Sequence, residues 1–270
     1  MTKNRKIAIA FVIAIFVCLG FVIAYIFAEL YTASDISETQ LETTDAMKFK
    51  KEYEDLNGKT DESNNTYRSL SISENNPIVY ATASTIVNMI DKDETFIVYF
   101  GYAKDAWSRS IIETLINSAQ EKNIYTIYYV DIENIRDIYT LNDNHEAVRT
   151  TEGTDGYYDL LNKLNSVLDN YGSLSYDTVV KKHTVSVDVP INEKRIFAPN
   201  IILIKNGEPK ILATGISSLQ TDGFMDLTTE MINDTKKQFE SLYSGYFETT
   251  TTTTTSTTTT SSNVCTKDGC

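Results

Sequence analysis

Apolar and polar residues alternate along the middle of the chain with the periods of strands and helices. Residues 95–101 form a continuous β-branched and aromatic run, the pattern of a strand buried on both faces. Residues 105–121 follow with apolar positions at helical spacing, and residues 124–132 form the next apolar strand. A strand, a helix and a strand at this spacing predict a βαβ unit and a parallel pair of strands.

Further elements are predicted on both sides of this unit. Before it, we expect a short helix at 47–58, an extended entry strand at 69–72 and 77–82, and a helix at 83–93. After it, we expect a helix from about 155, a polar loop or hairpin through 195, strands at 200–206 and 209–215, and a closing helix at 222–243.

Residues 7–28 form a charge-free apolar run. A helix of that length spans about 33 Å, enough to cross a bilayer, whereas the apolar part of a secretory signal has about 7–15 residues. We therefore expect an uncleaved single-pass anchor rather than a signal cleaved after Ala28. Basic residues among the first six predict a cytoplasmic N-terminus and an extracytoplasmic domain at the cell membrane.

Charge and composition exclude several kinds of chemistry. The formal net charge is −13, and a surface this negative repels phosphate backbones, so no nucleic-acid partner is expected. His145 and His183 have no third ligand at useful spacing. We therefore expect neither a metal nor a cofactor.

The turn that joins the strand at 95–101 to the helix at 105–121 carries the most specific signal. The segment "FIVYFGYAKDAWSRS" resembles the thioredoxin-like corner, in which a strand, a Gly and a C-x-x-C motif open a helix. The segment "RIFAPNIILIKNGEPKILATG" resembles the part of that fold with a cis-proline followed by a hairpin. More narrowly, "IYYVDIENIRD", "GTDGYYDLL" and "KRIFAPN" resemble extracytoplasmic thioredoxin-like proteins of Gram-positive bacteria, often described as bacteriocin transport accessory proteins.

The resemblance places the two redox cysteines of the family at Asp105 and Ser108 of this chain. Disulfide exchange requires a thiolate and a resolving thiol, so both substitutions remove that chemistry. Asp105 suits an N-cap that accepts the backbone N–H of Ser108, typically worth about 1 kcal/mol. A new catalytic or binding role for Asp105 is the alternative.

The same resemblance implies a cis bond at Pro199. In the family, the residue before this proline offers its backbone to an extended substrate chain, which needs no sulfur. Asp105, Trp107, Ala198 and Pro199 would then line a shallow groove for an extended polypeptide or a membrane-protein partner. Trp107 is expected either to pack beside this groove or to contact the partner.

The C-terminal tail holds a second possible redox group. Residues 249–262 are all Thr or Ser and are predicted to be disordered. Cys265 and Cys270 follow, and outside the cell they are expected to form a local disulfide. The alternative is a tethered redox pair that replaces the lost corner cysteines.

The sequence therefore predicts an α/β protein with a thioredoxin-like three-layer fold and a mixed sheet. Its expected parts are a cytoplasmic N-terminus (1–6), an anchor (7–28), a spacer (29–46), the folded domain (47–245) and the Thr-rich tail (246–270). The expected function is non-catalytic binding of a polypeptide or partner. The alternative is a thiol-disulfide oxidoreductase that uses Cys265 and Cys270.

Overall fold

A five-stranded mixed sheet lies at the centre of the computed structural model, which describes residues 43–248. The anchor at 7–28, most of the spacer and the tail with Cys265 and Cys270 lie outside the described residues. Five helices accompany the strands within residues 43–248, so the class is α/β: α1 (Asp45–Glu54), α2 (Ala83–Asp91), α3 (Ala106–Glu121), α4 (Asp155–Leu164) and α5 (Thr229–Phe247).

Nine strands form three sheets within the described part of the chain. The strands are β1 (Ile78–Tyr80), β2 (Phe96–Gly101), β3 (Ile127–Asp131), β4 (Ile138–Leu141), β5 (Ala147–Thr151), β6 (Asn170–Val180), β7 (His183–Lys194), β8 (Asn200–Lys205) and β9 (Glu208–Ala213). The central sheet has the order β1-β3-β2-β8-β9, while β4–β5 and β6–β7 are separate hairpins. In the central sheet β1, β3 and β2 are parallel, and β8 and β9 are each antiparallel to the preceding strand in that order.

The alternation of side chains along β2 explains the layers. Ile97 and Tyr99 belong to the apolar cluster that packs against α1, α3 and α5. Phe96, Val98 and Phe100 point to the opposite face, where they join the cluster of α2 and α4. Because all six residues of β2 are buried, the continuous apolar run is the pattern of a strand covered on both faces.

The register brings three chain segments to one end of the sheet. Gly101 at the end of β2 pairs with Asp131 at the end of β3, and Phe100 pairs with Asn200 at the start of β8. The turn that leaves β2 and the turn that enters β8 are therefore neighbours. This end of the sheet holds the residues that the sequence singled out.

The structure differs from the predicted elements at several boundaries. Residues 69–72 are not a strand, and only Ile78–Tyr80 of the predicted entry segment pairs with the sheet. The hairpin β4–β5 was not predicted, and the closing helix begins at Thr229 rather than at 222. No described helix is both long and apolar enough to cross a bilayer.

Candidate functional site

The start of α3 has the geometry that the sequence predicts. Asp105 has extended backbone angles (φ −78°, ψ 118°), and its carboxylate accepts the backbone N–H of Ser108 at 2.6 Å. This is an N-cap, and it satisfies one of the otherwise unpaired donors of the first turn. Asp105 therefore has a structural role that accounts for its place at the mouth of the helix.

Burial and hydrogen bonding act on the Asp105 carboxyl in opposite directions. Burial raises its pKa above the ordinary value of 3.8, although the hydrogen bonds from Ser108 and the charge of Arg136 lower the pKa. The net shift is upward, so burial is the larger effect. A carboxylate held in this way is a capping acceptor, and it cannot undergo disulfide exchange.

Ser108 is the last residue of the corner, which is the turn from Gly101 to Ser108. Its side chain is fully buried, and its hydroxyl forms no hydrogen bond of standard geometry with another described atom. A Cβ added at Gly101 would meet the Ser108 hydroxyl at 2.8 Å and the Tyr99 hydroxyl at 2.2 Å. The corner therefore requires glycine at 101, because these two hydroxyls occupy the space beneath it.

Tyr99 connects the corner to a buried group of tyrosines. Its hydroxyl shares a 2.8 Å hydrogen bond with the hydroxyl of Tyr53, and its ring stacks on Tyr129 at 5.3 Å between centroids. Tyr129 in turn donates to Glu52 at 3.1 Å. Burial raises the pKa of Tyr99, so its hydroxyl stays protonated and serves as a neutral hydrogen-bonding group.

Arg109 is a buried charge that the sequence analysis missed. Its side chain is 1 % exposed, and its guanidinium donates to the carbonyls of Tyr53 (2.8 Å) and Ala103 (3.3 Å) and to the side-chain oxygen of Asn57 (3.0 Å). It also donates to the carbonyl of Arg68. These bonds fix the first turn of α3 against the end of α1 and the segment that follows α1.

The helical spacing of α3 was a signal for this burial. Arg109 lies three residues before Ile112, which belongs to the apolar stripe, so the two residues share a helix face. Charged residues are rarely fully buried, so the sequence pattern alone predicts that Arg109 lies at the surface.

A long loop between β9 and α5, residues 214–228, lies against the first turn of α3. A Cβ at Gly223 would meet the Cβ of Ala106 at 2.8 Å and the backbone N of Trp107 at 3.1 Å. Phe224 packs on Tyr67 with 5.9 Å between ring centroids, and Arg68 donates to the carbonyl of Met225. The loop is thus a wall beside Trp107.

Three of the four residues of the predicted groove, Asp105, Trp107 and Ala198, are half-buried. Pro199 is buried and is joined to Ala198 by a cis peptide bond. Within residues 43–248, neither the indole N–H of Trp107 nor the backbone N–H and C=O of Ala198 has a hydrogen-bond partner. Pro199 directly precedes β8, which places Ala198 at the same end of the sheet as the start of α3.

Two open cavities lie away from the corner. Their volumes are about 500 and 530 Å³, and neither is lined by Asp105, Trp107, Ser108, Ala198 or Pro199. Across the described residues, no group of three or more His, Cys, Asp or Glu side chains is arranged to hold a metal ion.

Comparison with known proteins found no family model, curated protein or solved structure that matches this chain.

Proposed function

We propose that this chain is a non-catalytic polypeptide-binding module built on a thioredoxin-like scaffold. The order strand, helix, strand, then a proline before a hairpin and a closing helix supports the scaffold, as do helices on both faces of a mixed sheet. A capped helix start after β2 and a cis-proline before β8 also support this proposal.

The absence of sulfur from the corner supports a non-catalytic role. Asp105 caps α3, and Ser108 is buried beside the tyrosine cluster, so both positions serve the structure of the helix start. Neither side chain supplies a thiolate or a resolving thiol.

The unpaired backbone of Ala198 is the observation on which the binding proposal rests. It is half-exposed, and its N–H and C=O lack partners among the described residues. An extended peptide pairs with open backbone N–H and C=O groups as an added strand does. The partner is therefore an extended polypeptide segment, either free or part of a membrane protein.

Trp107 would supply the side-chain contact for the same segment. Tryptophan contributes strongly at binding surfaces because it buries a large apolar area and keeps one hydrogen-bond donor. The half-exposed indole with its free N–H has both properties here.

The proposal includes an extracytoplasmic position at the cell membrane. The apolar run at 7–28 and the preceding basic residues support this orientation. The location is tested by treating intact cells and lysed cells with protease: the domain should be degraded in intact cells if it lies outside.

The binding proposal is tested with a photo-crosslinking amino acid at position 107 of the full chain in intact cells. The matched control is position 125, because Tyr125 is an aromatic residue that is 75 % exposed and lies before β3, at the other end of the sheet. A specific polypeptide adduct from position 107 that is absent from position 125 supports the proposal. Equal adducts from both positions, or none from 107, would refute it.

A further inference from the structure

The hairpin β6–β7 changes character along its length. Near its base Ile191 is buried, and Tyr171 stacks on the guanidinium of Arg195 at 3.8 Å. Toward its turn the hairpin carries exposed valines, Val179, Val180 and Val185, with exposed fractions of 70 %, 50 % and 43 %. The end of the hairpin, residues 178–185, therefore carries exposed apolar side chains; we call it the tip.

The tip differs in charge from the rest of the chain. Residues 178–185 contain Lys181, Lys182 and His183 and no acidic residue, although the chain has a net charge of −13; Asp177, which pairs with Ser186, lies just outside them. Neither lysine has a carboxylate within salt-bridge distance in the described part of the chain. Lysines without ion pairs beside exposed valines fit an anionic partner that also accepts apolar side chains.

The backbone of the turn holds both lysines in an uncommon conformation. Val180 pairs with His183, so Lys181 and Lys182 alone form the turn, with φ values of 50° and 72°. Two positive φ values are the arrangement of a type I′ turn, which Asn and Gly adopt most easily. A chain that keeps two lysines in this left-handed conformation accepts a conformational penalty, and such a cost is common where side chains serve a function.

We propose that the tip of the hairpin β6–β7 contacts the headgroup layer of a membrane that contains anionic lipids. Lysines are attracted to anionic headgroups, and exposed valines are stabilised where the acyl chains begin. The backbone edges of the hairpin remain hydrated at this depth, so no unpaired N–H enters the hydrocarbon core.

The shape of the tip favours a membrane over a protein partner. Two strands lie about 5 Å apart, so the tip is a narrow convex projection. A stable protein interface buries about 1,000 Å² or more, which is difficult for a projection this narrow to provide against a firm surface. A lipid layer can deform around it.

This contact is weak on its own and is useful to a chain already held at the membrane. Two lysines and three valines provide a small binding free energy, and tethering through the predicted anchor raises the local concentration of lipid around the tip. The inference rests on the proposed membrane anchoring, but it does not depend on polypeptide binding at Trp107 and Ala198.

The experiment places a fluorescent probe on the tip of the full chain in nanodiscs. Val180→Cys is labelled in a chain in which Cys18, Cys265 and Cys270 are replaced by Ser, and Thr184→Cys provides a second, exposed position. The discs contain either neutral lipid or a mixture of neutral and anionic lipid, with and without nitroxide-labelled lipid as quencher. Tyr125→Cys is the control position, and Lys181→Glu with Lys182→Glu is the charge-reversed variant.

The proposal predicts a blue shift of emission and quenching by labelled lipid at positions 180 and 184 in anionic discs, with smaller effects in neutral discs. The charge-reversed variant should lose both effects, whereas the same reversal at Lys236 and Lys237 in α5 should leave them unchanged. Absence of quenching at both tip positions would overturn the proposal. A blue shift without quenching by lipid would also overturn it, because the tip would then contact protein.

Discussion

The two chain segments that meet at the corner use their polar groups in opposite ways. On the side that leaves β2, the carboxylate of Asp105 caps the helix, and the guanidinium of Arg109 is occupied by carbonyl groups of the same chain. On the side that enters β8, the backbone of Ala198 has no partner within the described residues. The comparison teaches that one side is committed to holding the structure, while the other remains available for a partner.

Burial explains how one side became structural. Asp105 is held by a hydrogen bond within the first turn of α3, whereas Arg109 is held by hydrogen bonds to the end of α1 and the segment that follows it. Trp107 projects from the same turn yet remains half-exposed. The first turn of α3 therefore carries both buried structural groups and the side chain that we propose contacts a partner.

Removal of the Arg109 side chain should have the largest effect. Arg109→Leu would leave four oxygen acceptors without their donor, and we expect a loss of more than about 3 kcal/mol in the free energy of unfolding. The measurement is urea unfolding of the domain in the full chain. Lys237→Leu, at a side chain that is 76 % exposed, is the control and should change stability by less than about 0.5 kcal/mol.

Cysteines can be introduced at the two corner positions that the resemblance assigns to redox cysteines. Asp105→Cys with Ser108→Cys should give measurable disulfide reduction where the parent corner gives none, because a thiol at a helix N-terminus has a lowered pKa. The assay is reduction of a disulfide-containing test protein, with each single substitution as a control. A folded but inactive double variant would contradict the alignment of the corner.

Substitution of the half-exposed Trp107 should weaken polypeptide binding and leave the free energy of unfolding nearly unchanged. Trp107→Ala should weaken polypeptide binding by about 10- to 30-fold, which corresponds to about 1.4–2 kcal/mol, whereas Trp107→Phe should retain part of the affinity. Titration with a reduced, carboxamidomethylated model polypeptide measures this difference. Equal affinity of the parent and Trp107→Ala would show that Trp107 does not contribute to polypeptide binding.

Removal of the cap should cost less stability. Asp105→Ala should lower the free energy of unfolding by about 1 kcal/mol, and Asp105→Asn by less, since Asn still accepts the N–H of Ser108. Urea unfolding of the three chains gives the comparison. No change in Asp105→Ala would show that the capping bond contributes nothing to stability.

The smallest expected effect is the pH dependence of the same substitution. The pKa of Asp105 is raised in the folded state, so the folded protein binds the proton more tightly than the unfolded chain. Relative to Asp105→Asn, the parent should therefore lose stability as the pH rises from about 3.8 through the raised pKa. The contributions of the other buried acids cancel because both proteins contain them. A parent that gains stability relative to Asp105→Asn as the pH rises would contradict the prediction.

Part of this molecule could be predicted from its sequence because local signals coincide with tertiary structure. The apolar run at β2, the helical stripe of α3 and the cap at Asp105 agree with one another, so the expected strand and helix are present. The start of α5 was missed for a physical reason. Asp222 accepts the N–H of Phe224 in a local turn, while Thr228 caps the helix.

The remaining features depend on contacts between distant parts of the chain. The hairpin β4–β5 has mostly exposed or half-buried residues, so its apolar alternation is weak. The hydrogen bonds of Arg109 join residues that are 6 to 56 positions apart, and no local pattern reports them. Whether the backbone N–H and C=O of Ala198 have hydrogen-bond partners likewise depends on how the neighbouring strands pack, so the sequence alone does not predict it.

Binding of a thiol-free unfolded polypeptide to the full chain tests the central claim most directly. Fluorescence anisotropy of the labelled, carboxamidomethylated polypeptide would be followed for the parent, for Cys265→Ser with Cys270→Ser, and for Trp107→Ala. The account predicts saturable binding that persists without the tail cysteines and weakens in Trp107→Ala. Absence of binding by the parent, or binding that disappears when Cys265 and Cys270 are replaced, would contradict it.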